Sequence, residues 1–173
     1  MTIATGFVLR VYAGIWAIDA HLNVWFLLAV SSTALFLAIG KRRSELTLLH
    51  ASASQHRETL LHYPENLLDI LTSMFANSTW ISYALFAFLQ PPIAARPVLS
   101  GILSNLTLSF GQAKYLMVTV PIVIYGVMRY LYIIYEKKQG ESPERVLLTD
   151  RPLLISVVLW ITTVVGLIYY VGV

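Results

Sequence analysis

Basic residues inside or beside apolar stretches are the side chains best suited to chemistry in this sequence. Arg10 interrupts an apolar run near the N-terminus, and Lys41 and Arg42 directly follow a second run. A charge in or at the edge of a membrane is costly, so it usually has a functional role. Because guanidinium and ammonium groups bind phosphate oxygens through charge-assisted hydrogen bonds, the pattern indicates an anionic, phosphate-bearing ligand.

Arg10 shares one predicted helix face with Gly6 and Gly14, since the three residues are four apart. Glycines allow a neighbouring helix to approach closely, and this face would then direct Arg10 into a helical bundle as an anion-binding group. The alternative is that Arg10 extends its charge to the lipid headgroups while its alkyl stem stays in the apolar layer.

Lys41 and Arg42 stand at the end of an apolar run, where cations complement the negative end of a helix and fix membrane topology. The functional alternative is a clamp for a pyrophosphate group. Glu45 lies four residues after Lys41 and three after Arg42. It therefore either holds one of these side chains in place or serves as a metal ligand.

A stripe of polar residues follows one face of a later apolar run. Tyr125, Arg129, Tyr132 and Glu136 are separated by four, three and four residues, which places them on one side of a helix. They form either an aromatic belt with a cation reaching the headgroups, or a polar cavity wall with hydroxyl donors for a phosphate.

Acidic and histidine residues give more local signals. Asp150 precedes Arg151 and a proline, which fits a helix N-cap; a ligand contact by this segment is the alternative. Asn66 and Asp69 are interpreted as caps of the following helix. The three histidines in 50–62 recur every six residues, a spacing that gives them no common helix face. We therefore do not expect a metal site there.

The elements that position these residues are predicted to be membrane helices. Hydrophobic residues make up 57% of the 173-residue chain and charged residues only 12%, about half the usual charged fraction of a soluble domain. Four runs have the length of about 20 residues that a bilayer crossing needs. They are Leu22–Gly40, Leu67–Leu89, Tyr115–Tyr135 and Leu153–Val173, and a shorter fifth segment, Ile3–Ala20, precedes them and pairs with the first as a hairpin.

The distribution of lysine and arginine predicts the orientation. The loops 41–66 and 136–152 carry four basic residues each, whereas 90–114 carries two, so the first two loops are predicted on the cytoplasmic side of the cell membrane. More basic residues gather there than topology requires, which favours an anionic substrate. These residues are Arg10, Lys41, Arg42, Arg57, Arg129 and Arg151.

Several short motifs are similar to those of a known family. They are Gly6-Phe-Val-Leu-Arg10 with Ala13-Gly14, Gly40-Lys41-Arg42 with Glu45-Leu46, His56-Arg57, Pro64-Glu65-Asn66-Leu67-Leu68-Asp69, Tyr125-Gly126 with Arg129-Tyr130-Leu131-Tyr132, and Leu147-Leu148-Thr149-Asp150-Arg151-Pro152. Together they resemble the UbiA prenyltransferase superfamily, in particular its decaprenyl-phosphate phosphoribosyltransferase branch. The resemblance extends from about Gly6 to the end of the chain.

The resemblance implies an all-α integral membrane protein, a helical bundle of nine spanning helices around a cavity. It also implies a reaction: transfer of a 5-phosphoribosyl group from phosphoribosyl pyrophosphate to a polyprenyl phosphate, with Mg²⁺, for the arabinose donors of a cell envelope. Lys41, Arg42 and Arg10 would contact phosphates, and Arg129 and Tyr132 would line the cavity. Membrane lipid rather than nucleic acid is the expected partner.

One part of the family pattern is missing from this sequence. The aspartate motif of the type Asn-Asp-x-x-Asp, which holds the magnesium ion in the superfamily, does not occur, and Asp19, Asp69 and Asp150 stand alone. Residues 1–173 are therefore expected to correspond to the C-terminal part of such a transferase, with about five of nine helices and with a separate N-terminal half supplying the metal ligands. The alternative is a non-catalytic or truncated membrane subunit with an isoprenoid-binding groove.

Overall fold

The structure, a computed structural model, describes residues 2–17, 23–51, 65–89, 115–137 and 143–171, and all but two of these residues are helical. The α-helices are α1 (Thr2–Ala17), α2 (Val24–Ala51), α3 (Glu65–Leu89), α4 (Val120–Tyr132), α5 (Pro143–Thr149) and α6 (Arg151–Gly166). A 3₁₀ turn, Tyr115–Thr119, leads into α4, and π-helical turns extend α4 (Ile133–Lys137) and α6 (Leu167–Val171). The predicted all-α class is confirmed.

Three of the described helices are long and apolar enough to cross a membrane: Val24–Leu46, Tyr115–Glu136 and Arg151–Tyr169. They correspond to three of the four predicted spans with shifted ends. The fourth predicted span, Leu67–Leu89, coincides with α3, a helix of 25 residues that is not among these three. Its serine, threonine and asparagine side chains reduce its hydropathy.

Helix α2 is longer than predicted. The sequence suggested a loop from Lys41 onward, but the helix continues to Ala51. Lysine, arginine, glutamate and leucine all favour helix, so the basic segment extends the helix beyond its apolar part. At the other end, the Asn23 carboxamide accepts hydrogen bonds from the backbone N–H groups of Trp25 (2.9 Å) and Phe26 (3.4 Å), which caps the helix.

The basic ends of α2 and α4 lie together. A Cβ atom on Gly40 would come within 2.7 Å of Ile134 Cδ1 and 3.4 Å of Tyr130 Cε1, so the absent side chain permits this close approach. The ring of Phe36 meets that of Tyr130 edge-on, with centroids 5.3 Å apart. The core of this end includes Phe36, Ala76, Tyr130, Ile133, Ile134, Val146 and Leu153.

A series of hydrogen bonds joins α3, the 3₁₀ turn before α4, and α6. The indole N–H of Trp160 donates to Tyr83 Oη (2.8 Å), and Tyr83 Oη is 2.6 Å from Thr119 Oγ1. Thr119 Oγ1 in turn donates to the carbonyl of Leu116 (2.6 Å), so the tyrosine hydroxyl donates to the threonine. The indole N–H of Trp160 and the hydroxyls of Tyr83 and Thr119 thus all have partners, which lowers the cost of placing them among apolar groups.

Candidate functional site

An ion pair with two hydrogen bonds joins Arg129 of α4 to Asp150, the residue that precedes α6, at the basic end of the bundle. Arg129 Nε lies 3.0 Å from Asp150 Oδ1, and Arg129 Nη2 lies 2.9 Å from Asp150 Oδ2. Two parallel bonds of this kind are stronger and more directional than a single contact. The carboxylate side chain is only 6% exposed and that of the arginine 24%, so the pair is largely removed from solvent.

Asp150 also caps α6, as the sequence predicted. Its Oδ1 accepts a hydrogen bond from the backbone N–H of Leu153 (3.1 Å), and Pro152 occupies the first turn of the helix. The carboxylate thus satisfies an otherwise unpaired N–H group and faces the positive end of the helix dipole. Its second partner, Arg129, was not predicted from the sequence.

The predicted stripe of Tyr125, Arg129, Tyr132 and Glu136 lies on a partly exposed face of α4. The guanidinium carbon of Arg129 lies 5.0 Å from the centroid of the Tyr132 ring, within the range of a cation–π contact. Tyr125, Tyr132 and Glu136 are all exposed among the described residues. Arg129 is therefore fixed on two sides, by a carboxylate and by an aromatic ring, while the stripe remains accessible.

The basic end of α2 contains a second ion pair, between Arg42 Nη1 and Glu45 Oε2 at 2.7 Å. The prediction that Glu45 holds one of the preceding basic side chains is confirmed, and the side chain that it holds is Arg42. The arginine is still 48% exposed, so most of its donors face outward. Lys41 is half-buried and forms no ion pair with any residue that the structure describes.

A third ion pair joins α2 to α3. Arg43 Nε lies 2.6 Å from Asp69 Oδ1, and the Arg43 guanidinium is 5.9 Å from the centroid of the Tyr135 ring. The interpretation of Asn66 and Asp69 as helix caps is wrong for Asp69, because the helix begins at Glu65 and the aspartate side chain bonds across to α2. Arg43 belongs to the basic triplet in the sequence, but nothing local identifies its distant partner.

Arg10 does not point into the bundle formed by the described residues. It is exposed, and a Cβ atom on Gly6 or Gly14 would meet no atom of that part of the protein within 4 Å. The expectation that these glycines admit a neighbouring helix is therefore wrong for the helices that are described. Arg151 is also exposed, beside the buried Asp150. Arg57, His56 and His62 lie outside the described residues.

Comparisons with known proteins give this geometry its context. No protein-family model matches the chain. A curated protein of Mycolicibacterium smegmatis named decaprenyl-phosphate phosphoribosyltransferase is 32% identical over 168 residues, which are 97% of this chain and 50% of that protein. The chain is a homologue of this transferase. Proteins of the same name from Corynebacterium glutamicum (29% identical, 96% of this chain and 46% of the relative) and Mycobacterium tuberculosis (28%, 94% and 47%) agree.

The chain spans about half the length of these homologous transferases, which is consistent with the predicted C-terminal part. The resemblance inferred from the short motifs is confirmed by these relatives along nearly the whole chain. The comparisons concern the sequence as a whole, so the roles of Arg10, Lys41, Arg42, Glu45, Arg129, Tyr132 and Arg151 in binding remain predictions.

The described residues do not fit the magnesium ion that the resemblance implies. Hard divalent cations such as Mg²⁺ prefer carboxylate and water oxygens. Within the described ranges no group of three histidine, cysteine, aspartate or glutamate residues lies close enough to hold a metal ion. Glu45, Asp69 and Asp150 each form an ion pair with an arginine instead.

Proposed function

We propose that this chain is part of a membrane transferase that moves a 5-phosphoribosyl group from phosphoribosyl pyrophosphate to a polyprenyl phosphate such as decaprenyl phosphate. The observation that carries the proposal is similarity over 94–97% of the chain to three transferases of that name. The arrangement of cations at one end of an apolar bundle supports it, because both substrates are anions and one of them has a long apolar chain.

The proposed reaction is a displacement at the anomeric carbon of the ribose. An oxygen of the lipid phosphate forms a bond to that carbon while the bond from the carbon to the pyrophosphate oxygen breaks. Pyrophosphate leaves with the electron pair of that bond, so negative charge grows on the leaving group. Fixed positive groups placed against the leaving group lower the barrier, since they interact more strongly with the transition state than with the bound donor.

Lys41 and Arg42 are proposed to contact the phosphates of the donor. The pair with Glu45 uses one nitrogen of Arg42 and fixes the direction of its guanidinium, which leaves outward-facing donors for a phosphate. Lys41 supplies a charge that no carboxylate of the described residues neutralises. Arg10 and Arg151, both exposed, are proposed as further phosphate contacts in the complete protein.

Arg129 and Tyr132 are proposed to line the substrate cavity rather than to neutralise the leaving group. Two donors of Arg129 are already bound to Asp150, so its net charge is compensated. Its remaining N–H groups and the exposed Tyr132 hydroxyl offer hydrogen bonds to a sugar or phosphate oxygen.

The remaining parts of the proposal concern the setting. Magnesium is an expectation of the resemblance, and its ligands would come from a separate N-terminal half. The site would face the cytoplasm in the cell membrane, and its product would serve cell-wall biosynthesis.

A non-catalytic or truncated subunit with an isoprenoid-binding groove is the second candidate. The lack of a metal-ligand group among the described residues favours it.

Lipid labelling tests the proposal. Membranes with this chain alone, and with this chain plus a candidate N-terminal half, receive polyprenyl phosphate, labelled phosphoribosyl pyrophosphate and Mg²⁺. Label in the lipid fraction only with both halves supports the proposed role. Transfer by this chain alone refutes the need for a second half, and no transfer with both halves folded leaves the non-catalytic subunit.

A further inference from the structure

The basic triplet near the end of α2, Lys41-Arg42-Arg43, is divided between two directions. Arg43 turns toward the protein: its side chain is 16% exposed, and its Nε donates to Asp69 Oδ1 of α3 at 2.6 Å. Arg42 turns outward, and its side chain is 48% exposed. One cation of the triplet is therefore committed to a contact between helices, and two remain for a ligand.

The directions of neighbouring residues on α2 explain this division. Successive residues of an α-helix differ by about 100° in direction, so Leu46 points within about 60° of Arg43. Leu46 is buried and belongs to the same core cluster as Leu68 of α3, so this side of α2 faces α3. The adjacent side of α2 carries Gly40, which meets the π-helical turn that extends α4, and the buried Ser44.

Lys41, Arg42 and Glu45 occupy the remaining sector of α2. Lys41 and Glu45 each lie about 160° from Arg43, and Arg42 lies about 100° from it. The sector therefore faces away from the side that packs on α3. Because the residues belong to one helix, the contact of Arg43 with Asp69 fixes the rotation of this end of α2 about its own axis. The same contact sets the direction in which Lys41 and Arg42 are presented.

Tyr135 gives Arg43 a second contact. The guanidinium carbon lies 5.9 Å from the centroid of the tyrosine ring, within the range of a cation–π contact. The ring belongs to the π-helical turn that extends α4, so Arg43 contacts both helices that flank α2 at this end. The Asp69 side chain is 36% exposed, and a pair that open to solvent adds little to the free energy of unfolding. Its stronger effect is on geometry.

From this geometry, we propose that Arg43 and Asp69 are positioning residues for pyrophosphate binding. Their contact holds the end of α2 in the rotation that presents Lys41 and Arg42 to the pyrophosphate group of the donor. Neither positioning residue touches the donor. Asp69 thereby increases the affinity for an anion although its own charge is negative. The assignment rests on the proposed function, because it takes Lys41 and Arg42 to be the donor contacts.

The sign of one substitution separates positioning from simple electrostatics. Asp69→Leu removes a negative charge beside a group of cations, so electrostatics alone predicts tighter binding of pyrophosphate. Positioning predicts binding that is weaker by about three- to tenfold. The cations remain but no longer keep one orientation, so the loss stays below the tenfold or more that a whole charged hydrogen bond is worth. The double variant Arg43→Met with Asp69→Leu keeps the net charge, so electrostatics predicts no change and positioning predicts the same weakening.

Protection of Lys41 from acylation measures this binding without any need for transferase activity. The chain in mixed micelles, alone and with the candidate N-terminal half, is titrated with inorganic pyrophosphate and treated briefly with an amine-acylating reagent. Mass spectrometry of the peptides gives the pyrophosphate concentration that half-protects Lys41. Lys114, which the distribution of basic residues predicts on the other side of the membrane, reports the general reactivity of the reagent.

Two further variants act as controls. Arg42→Ala removes a proposed donor contact and should raise the half-protection concentration, which shows that the protection reports this site. Tyr83→Phe breaks a hydrogen bond to Trp160 without touching the triplet, and it is the control for a general loss of stability.

The expected result is a half-protection concentration that rises about three- to tenfold in Asp69→Leu and by a similar factor in the double variant, and that is unchanged in Tyr83→Phe. In an active complex, Asp69→Leu should also raise the KM for phosphoribosyl pyrophosphate and leave that for the lipid unchanged.

Three results would overturn the positioning assignment. They are tighter or unchanged pyrophosphate binding in Asp69→Leu, an equal weakening in Tyr83→Phe, and no protection of Lys41 in either preparation of the unaltered chain. The lipid-labelling assay gives a separate answer. Failure to transfer label, with Lys41 still protected in the unaltered chain and less so in Asp69→Leu, would refute the transferase and leave the positioning of the pyrophosphate site standing.

Discussion

Removing Arg129 should destabilise the bundle more than neutralising its partner does. Arg129→Met keeps most of the side-chain length but leaves the Asp150 carboxylate, 6% exposed, without its cation. Breaking a buried pair in this way costs about 3–5 kcal/mol. Asp150→Asn keeps the helix cap and leaves an arginine that is 24% exposed and can turn toward water, so we expect a loss of about 1–2 kcal/mol.

The double variant separates the interaction between Arg129 and Asp150 from the effect of each single substitution. With Arg129→Met and Asp150→Asn together, no unpaired buried charge remains, so the total loss should fall below the sum of the single losses by about 1–3 kcal/mol. Unfolding of the purified chain in mixed micelles, followed by tryptophan fluorescence, measures all four proteins under the same conditions. Additive losses, or a larger loss for Asp150→Asn than for Arg129→Met, would refute the reasoning.

Three further predictions follow from other contacts. Gly40→Val should destabilise the chain by about 1–3 kcal/mol, because its side chain would overlap the neighbouring helix, whereas Gly14→Val should change the unfolding free energy by less than about 0.5 kcal/mol. Tyr83→Phe should cost about 1–2 kcal/mol in the same assay, since the partly buried indole N–H of Trp160 loses its acceptor; an unchanged free energy would contradict the hydrogen-bond series from Trp160 to Thr119. In an active complex, Lys41→Ala should raise the KM for phosphoribosyl pyrophosphate about 10-fold or more while changing that for the lipid little, with the exposed Arg145→Ala as control; equal effects on both substrates would argue against the assigned role.

The helices and the contacts within one helix could be predicted from the sequence. Apolar runs of membrane length predicted the helices, and residue types at a helix start predicted the Asp150 cap. The bond between Arg42 and Glu45 follows from a spacing of three residues on one helix. In each case the information lies within a few turns of the chain, where side-chain periodicity is a reliable guide.

Contacts between helices could not be predicted from the sequence in the same way. Arg43 and Asp69 are 26 residues apart and Arg129 and Asp150 are 21 apart, so which cation meets which carboxylate depends on how the helices pack. The same limitation explains Arg10: its spacing from two glycines predicted a shared face correctly, but periodicity does not indicate which neighbour that face meets.

The pairing of Arg129 with Asp150 also has a consequence for biogenesis. During synthesis, α4 leaves the ribosome before Asp150 and α6 have been made, so the arginine reaches the bilayer without its carboxylate. Because Arg129 lies in the last turn of α4, its side chain can extend to the lipid headgroups until Asp150 is present. Synthesis of Asp150 and α6 then supplies the helix cap and the counter-charge for Arg129 together, so the packing of α4 against α6 is coupled to the order in which the two helices are translated.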